Sequence, residues 1–113
     1  EARDGHLSVT GTEGREPTET NAQFDQQPIE IAAIADAAAR AFDVTGDPRW
    51  LEPVRMAWGW FLGDNDSSVP MVHLPSGAGF DGLERDGRND NRGAESTLAA
   101  LLTHQQARRL AQA

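Results

Sequence analysis

Ala41-Phe42-Asp43-Val44-Thr45-Gly46-Asp47-Pro48-Arg49-Trp50 sets the architecture. Gly46 stops one helical pattern, and Asp47-Pro48 starts the next as cap and first residue. A link this short makes the two helices antiparallel neighbours, an αα-hairpin. Upstream, Pro28 stands at a first helical position with Glu30 in the first turn, and Ile31, Ile34, Ala35, Ala38 and Phe42 repeat at helical spacing to about Thr45. Asp36 and Arg40 lie on the opposite face as an i,i+4 pair. Glu30 falls at the edge of the apolar stripe, with Ile34, Ala37 and Ala41, and the alanines imply close approach of another helix. Downstream, Trp50, Val54, Ala57, Trp58 and Phe61 share a face, and Gly63 ends the pattern. Pro53 lies a turn too deep for a start at Pro48, so a kink or a true start near Leu51 is expected. Trp50 and Trp58 read as core; Trp60 points off the stripe, as suited to a sugar platform as to a core.

A third helix follows Asn89-Asp90-Asn91-Arg92-Gly93-Ala94-Glu95-Ser96-Thr97-Leu98, where an amide-rich loop runs into an apolar pattern. Glu95 lies about a turn from Leu98 and Ala99 and two turns from Leu102, which assigns it to a face expected to be buried. Two readings of Glu95 are open: a carboxylate that caps its own helix and offsets the dipole, or one member of a polar site at the helix mouth. Arg108 and Arg109 suit the far, negative end of the same helix. The predicted helices are Pro28 to Thr45, Pro48 to Gly63 and Gly93 to Ala111.

Between the second and third helices, residues 64–92 form a connection long for a compact domain, which implies a function or a small β-hairpin. Val72-His73-Leu74 and Gly79-Phe80-Asp81-Gly82-Leu83, separated by Pro75-Ser76-Gly77, fit two paired strands. Asp64, Asn65 and Asp66 cluster oxygens, but the glycine and terminal glutamate of an EF-hand loop are not at the required spacing. Three scattered histidines offer no metal spacing, and none is placed to form a hydrolytic triad with Ser96. No metal or cofactor is expected.

The first 23 residues are polar and broken by Gly5, Gly11, Gly14 and Pro17, with Leu7 and Val9 alone able to anchor anything. They read as a tail or linker before a helical domain over 24–113. The chain has no cysteine, no lysine and a formal net charge of -8, so its permanent positive charges are all arginine. That balance argues against a nucleic-acid partner, which needs clustered positive charge. No run has the length of a membrane span and no basic-then-apolar leader is present, so the expectation is a soluble, cytoplasmic protein without a membrane partner. A start at Glu1 in place of Met suggests a processed protein or a piece of a longer one.

Three segments together resemble the last hairpins of an all-α region in bacterial carbohydrate-active proteins commonly classed as glycosyltransferases. They are Gln26-Gln27-Pro28-Ile29-Glu30, Thr45-Gly46-Asp47-Pro48-Arg49-Trp50 with Trp60-Phe61-Leu62-Gly63-Asp64-Asn65, and Asp81-Gly82-Leu83 with Asn89-Asp90-Asn91-Arg92-Gly93-Ala94-Glu95-Ser96-Thr97-Leu98. That region is similar to the six-hairpin (α/α)6 toroids of glycosidases. The resemblance spans about Phe24 to Leu110, with Arg92 standing where glutamine is usual. It implies a mainly α fold, the αα-hairpin plus a third helix forming the last part of a toroid. It also implies that Gln26, Gln27, Glu30, Asp81, Asn91 and Glu95 face the toroid's cleft.

Two functions follow as expectations. In the first, the helix N-termini bind or process a saccharide, with Gln26, Gln27, Asp81 and Asn91 contacting it. Glu30 and Glu95 are then the candidate acid and base, whose separation would distinguish inverting from retaining hydrolysis. The fragment by itself would be inactive, being part of a larger glycosyltransferase or glycoside hydrolase. In the second, the chain is a helical interaction module without a catalytic role. Its partner would be the missing N-terminal part of the same protein or another copy, because one hairpin and one helix leave apolar surface uncovered.

Overall fold

The computed structural model describes residues 2, 3, 5–12 and 21–111. Three helices dominate: α1 (Pro28–Thr45), α2 (Leu51–Leu62) and α3 (Ala94–Leu110). Each packs against the other two. The fold is therefore mainly α, and the three helical spans agree with the sequence pattern to within the usual uncertainty at helix ends. Pro28 opens α1, and Gly46 closes it in the left-handed region, φ 68°, with its N–H donating to the Phe42 carbonyl. A 3₁₀ turn at Pro48–Trp50, capped by Asp47 accepting from the Arg49 N–H, carries the chain into α2. Because α2 begins at Leu51, Pro53 falls in its first turn, where a missing N–H breaks no helical bond.

Small antiparallel strand pairs fill the connections. β1 (Ala2–Arg3) pairs with β2 (His6–Leu7) ahead of the helices. In the long connection, β3 (Val72–His73) pairs with β4 (Ala78–Gly79), and β5 (Gly82–Glu84) with β6 (Gly87–Asn89). The expected hairpin over 72–83 is thus two: Gly82 and Leu83 leave Val72 and turn back on Gly87–Asn89 through Arg85-Asp86. Gln26 bridges Leu83 by reciprocal backbone bonds of 2.9 and 2.8 Å, which fixes the entry to α1 beside β5.

The core departs from the sequence expectation in three places. First, β2 lies against α2, and Leu7 and Val9 are buried in the main cluster with Ile31, Trp60, Phe61, Met71, Phe80 and Leu83. The described residues 6–11 are consequently a packed part of the domain, not a linker; 13–20 lie outside the described residues. Second, Trp60, whose spacing suited a core or a platform equally, is the most buried tryptophan, while Trp50 and Trp58 pack against the core from its margin. Trp60 is fully buried, whereas Trp50 and Trp58 are half-exposed. A second layer, β2 and Gln26, covers the side of α2 that a single-stripe reading leaves to solvent.

Third, α3 buries its small residues. Ser96, Ala99, Ala100 and Thr103 face inward, while Leu98, Leu101 and Leu102 are 56%, 48% and 54% exposed. On the facing helix, Ala32, Ala35, Ala38 and Ala39 are buried. Two helices lined by alanine can approach closely, and dispersion attraction between their apposed backbone atoms offsets the smaller side chains. Glu95 goes with the leucines to the exposed face. It is not the buried-side carboxylate that its spacing suggests.

Candidate functional site

The loop 81–93 builds the mouth of α3. The Asp81 N–H donates to the Asn91 carbonyl at 2.9 Å, and Asn91 in turn donates its N–H to Asn89 Oδ1 at 2.9 Å. These bonds bring the Asp81 carboxylate to the helix end, where Oδ1 accepts the Gly93 N–H at 2.8 Å. Gly93 is the N-cap residue and has no side chain to cap the N–H groups of the first turn. Asp81, from twelve residues earlier, therefore supplies the carboxylate that Glu95 was a candidate to supply. A Cβ at Gly93 would stand 3.0 Å from Asp81 Oδ1, so the small residue lets the carboxylate sit close.

Next to this cap lies an open cavity of about 370 Å³, lined by Gln27, Pro28, Asp81 and the start of α3 from Gly93 to Ser96. The N-termini of α1 and α3 both contribute to it. Of the sequence candidates, Gln27, Asp81 and Glu95 come together here. Asn91 touches the arrangement through its backbone, and its exposed side chain is not in the lining. Glu30 sits half-buried a turn along α1, its N–H donating to the Gln27 carbonyl at 3.1 Å, and is also outside the lining. Helical spacing assigns Glu30 and Glu95 alike to buried-side faces; Glu30 is half-buried and Glu95 exposed, so that shared motive for convergence is absent.

Gln26 is elsewhere. It is fully buried, and both ends of its amide are committed: Nε2 donates to Asp66 Oδ2 at 2.8 Å and to the Gln23 carbonyl at 2.9 Å, and Oε1 accepts from the Trp60 indole at 3.2 Å. Asp66 also accepts from Ser8 Oγ at 2.5 Å and pairs with His6 Nε2 at 2.8 Å. Burial pushes the Asp66 carboxyl up, but the hydrogen bonds from His6, Ser8 and Gln26, with the charge His6 can carry, outweigh it. The net result holds the carboxyl below its usual range. Sequence spacing could not reveal this group, whose members are 58 and 60 residues apart along the chain.

The cavity at α3 contrasts with a larger one, about 520 Å³, between α2 and the end of α3, where Leu51, Val54, Trp58 and Leu110 are the apolar walls and Glu52 pairs with Arg55 at the rim. Only the first presents several hydrogen-bonding side chains with uncommitted oxygens. Among the described residues no three His, Asp or Glu side chains are grouped as a metal site, and no helix is long and apolar enough to cross a membrane. Compared with known proteins, the chain matches no family model and no curated protein.

Proposed function

We propose that the chain is a carbohydrate-binding part of a larger glycosyltransferase or glycoside-acting protein, its saccharide seated at the α1 and α3 N-termini. The observation that carries this reading is the pairing of Asp81 and Glu95 with Gln27 around one open cavity whose helix end is already neutralised. Asp81 occupies the Gly93 N–H, so the positive pole that would attract phosphate faces a carboxylate instead. A net charge of -8 disfavours anionic ligands further. What two carboxylates, a carboxamide and a serine suit is a neutral ligand with many hydroxyls, each donating to a carboxylate oxygen or accepting from the amide. The volume falls in the usual range for small-ligand sites, about 300–1,000 Å³. The resemblance of Gln26-Gln27-Pro28 and the Asn89–Leu98 segment to toroidal carbohydrate-active proteins points the same way.

Glu95→Gln tests this. Because Glu95 is exposed and makes no cap bond, the change should alter stability by no more than about 1 kcal/mol, the scale of a dipole interaction. Saccharide affinity should fall by about tenfold, the worth of one charge-assisted hydrogen bond. Calorimetric titration with neutral mono- and oligosaccharides, beside thermal melts, measures both. Equal affinity in the variant and the parent chain would remove Glu95 from the site.

A specific observation also favours the second function. Ile29 on α1 and Leu102 on α3 are large, exposed and line a groove with Ala32, Ala33, Asp36 and Gln106, and Leu98 and Leu101 are exposed on the same helix as Leu102. Such a strip is typical of an interaction surface. It accords with further helices packing there, as neighbouring hairpins do in a toroid.

A further inference from the structure

The Asp66 carboxylate stands where three otherwise separate pieces of chain meet. His6 and Ser8 reach it from one face of β2 and the residue after, Gln26 from the entry to α1, and Asp66 itself follows α2. Strand alternation sends Leu7 and Val9 the other way, into the cluster that holds Trp60 and Phe61. Beyond Val9, the Thr12 N–H donates to the Asp25 carbonyl at 3.1 Å. Gly11 presses so near Phe24 that a Cβ would stand 2.3 Å from its carbonyl oxygen.

We propose that residues 6–12 are a strap latched to the helical body by the Asp66 carboxylate, and that neutralising this carboxylate frees the strap while the three helices stay folded. Burial of one leucine and one valine is nearly balanced by ordering the backbone that carries them, so the polar contacts decide whether the strap stays down. Those contacts are all of one polarity: Ser8, Gln26 and His6 each direct a hydrogen at Asp66. A neutral acid or amide in its place offers a donor of its own where the ionised group offers acceptors only. Gln26 cannot turn to compensate, because its Oε1 is held by Trp60 and its Nε2 by the Gln23 carbonyl as well. His6 can meet the new donor only by changing tautomer, and every contact loses the charge assistance of a carboxylate, so the strap is held less tightly.

Of the charged side chains around Asp66 among the described residues, His6 on β2 acts on it. Ser8 and Gln26 are uncharged, and Asp64, two positions back on the same loop, is exposed. Since the folded-state carboxyl is held below its ordinary value of about 4, the latch is fully present above that pH and is lost as pH falls through the lowered value. Gln26, which the latch holds, directly precedes Gln27 of the cavity.

Site-resolved amide hydrogen exchange of the chain at neutral pH tests the latch with Asp66→Asn, an isosteric change. Leu7, Ser8 and Val9 should exchange at least about tenfold faster than in the parent chain while the slowest amides of α1, α2 and α3 keep their rates. Ser8→Ala, which removes one donor and leaves the charge, should give a smaller increase at the same three amides. Acidifying the parent chain should reproduce the Asp66→Asn pattern before helix amides accelerate. Unchanged exchange at residues 7–9 in Asp66→Asn would overturn the proposal. So would acceleration of strap and helix amides together, since Asp66 would then be holding the whole domain and not a strap.

Discussion

Trp60→Ala is expected to cost about 4 kcal/mol of folding stability, the range for emptying a large aromatic from a core. Trp60 is fully buried, packs edge-on to Phe61 with ring centroids 5.0 Å apart, and donates its indole N–H to Gln26. Alanine leaves a cavity, and it also leaves Gln26 Oε1 without its donor. Trp58 is half-exposed, lying 4.7 Å from the His104 ring and 6.0 Å from Phe61. Trp58→Ala should therefore be milder by at least about 1 kcal/mol, since part of its surface is in water in both states. Urea denaturation followed by far-UV circular dichroism compares them. A larger loss at Trp58 would mean that the single-stripe view of α2 is right and the two-sided core wrong.

Gly79→Ala should lose about 3 kcal/mol, at the upper end of overpacking costs. A Cβ there would meet the Ser96 carbonyl oxygen at 2.3 Å and its carbon at 2.7 Å. Both are backbone atoms of the first turn of α3, so relief requires moving the helix and not a side chain. The Gly79 N–H, which donates to Thr97 Oγ1 at 3.1 Å, would be strained by the same movement. Gly77→Ala is the informative partner. Gly77 has φ +76° but nothing within 4 Å of the added carbon, so conformational strain of about 1 kcal/mol is all that is expected. Thermal melts of the two variants should separate crowding from strain. Because Ser96 lines the cavity, Gly79→Ala should also weaken ligand binding, and Gly77→Ala should not.

The helical frame is legible in the sequence because its signals are local. Pro28 at a helix start, Gly46 in the left-handed cap and the Asp47-Pro48 restart each act within a turn of chain. Faces are harder to read, because they depend on what comes to lie against a helix. Leucine outranks alanine in any hydrophobic tally, yet α3 turns Ala99 and Ala100 inward because α1 presents alanines of its own, and Leu98, Leu101 and Leu102 are left outside. Trp60 is buried by β2, a two-residue strand inside a stretch whose glycines and charges hide Leu7 and Val9. The second hairpin has a readable turn, Arg85-Asp86-Gly87, but its strands are three residues each, too short for an alternating pattern to stand out.

The candidate site divides along the same line. Gln27 and Glu95 each adjoin a helix start, a sequence-visible property that also brings them to one cavity, whereas Asp81 reaches it from twelve residues before Gly93. The cap bond from Gly93 to Asp81 is not visible, since it depends on the loop 81–93 folding back on itself through the Asp81–Asn91 bond. Gln26 differs from Gln27 by one position and points to the opposite side of the chain, into the Asp66 group.

Chemical-shift mapping of the ¹⁵N-labelled chain with a panel of neutral oligosaccharides locates a ligand without presuming a reaction. Binding at the α1 and α3 N-termini predicts saturable shifts concentrated at the amides of Gln27, Asp81, Gly93, Ala94, Glu95 and Ser96, and their loss in Glu95→Gln. Saturable shifts confined to the groove of Leu51, Val54, Trp58 and Leu110, or none with any saccharide in the panel, would contradict the assignment.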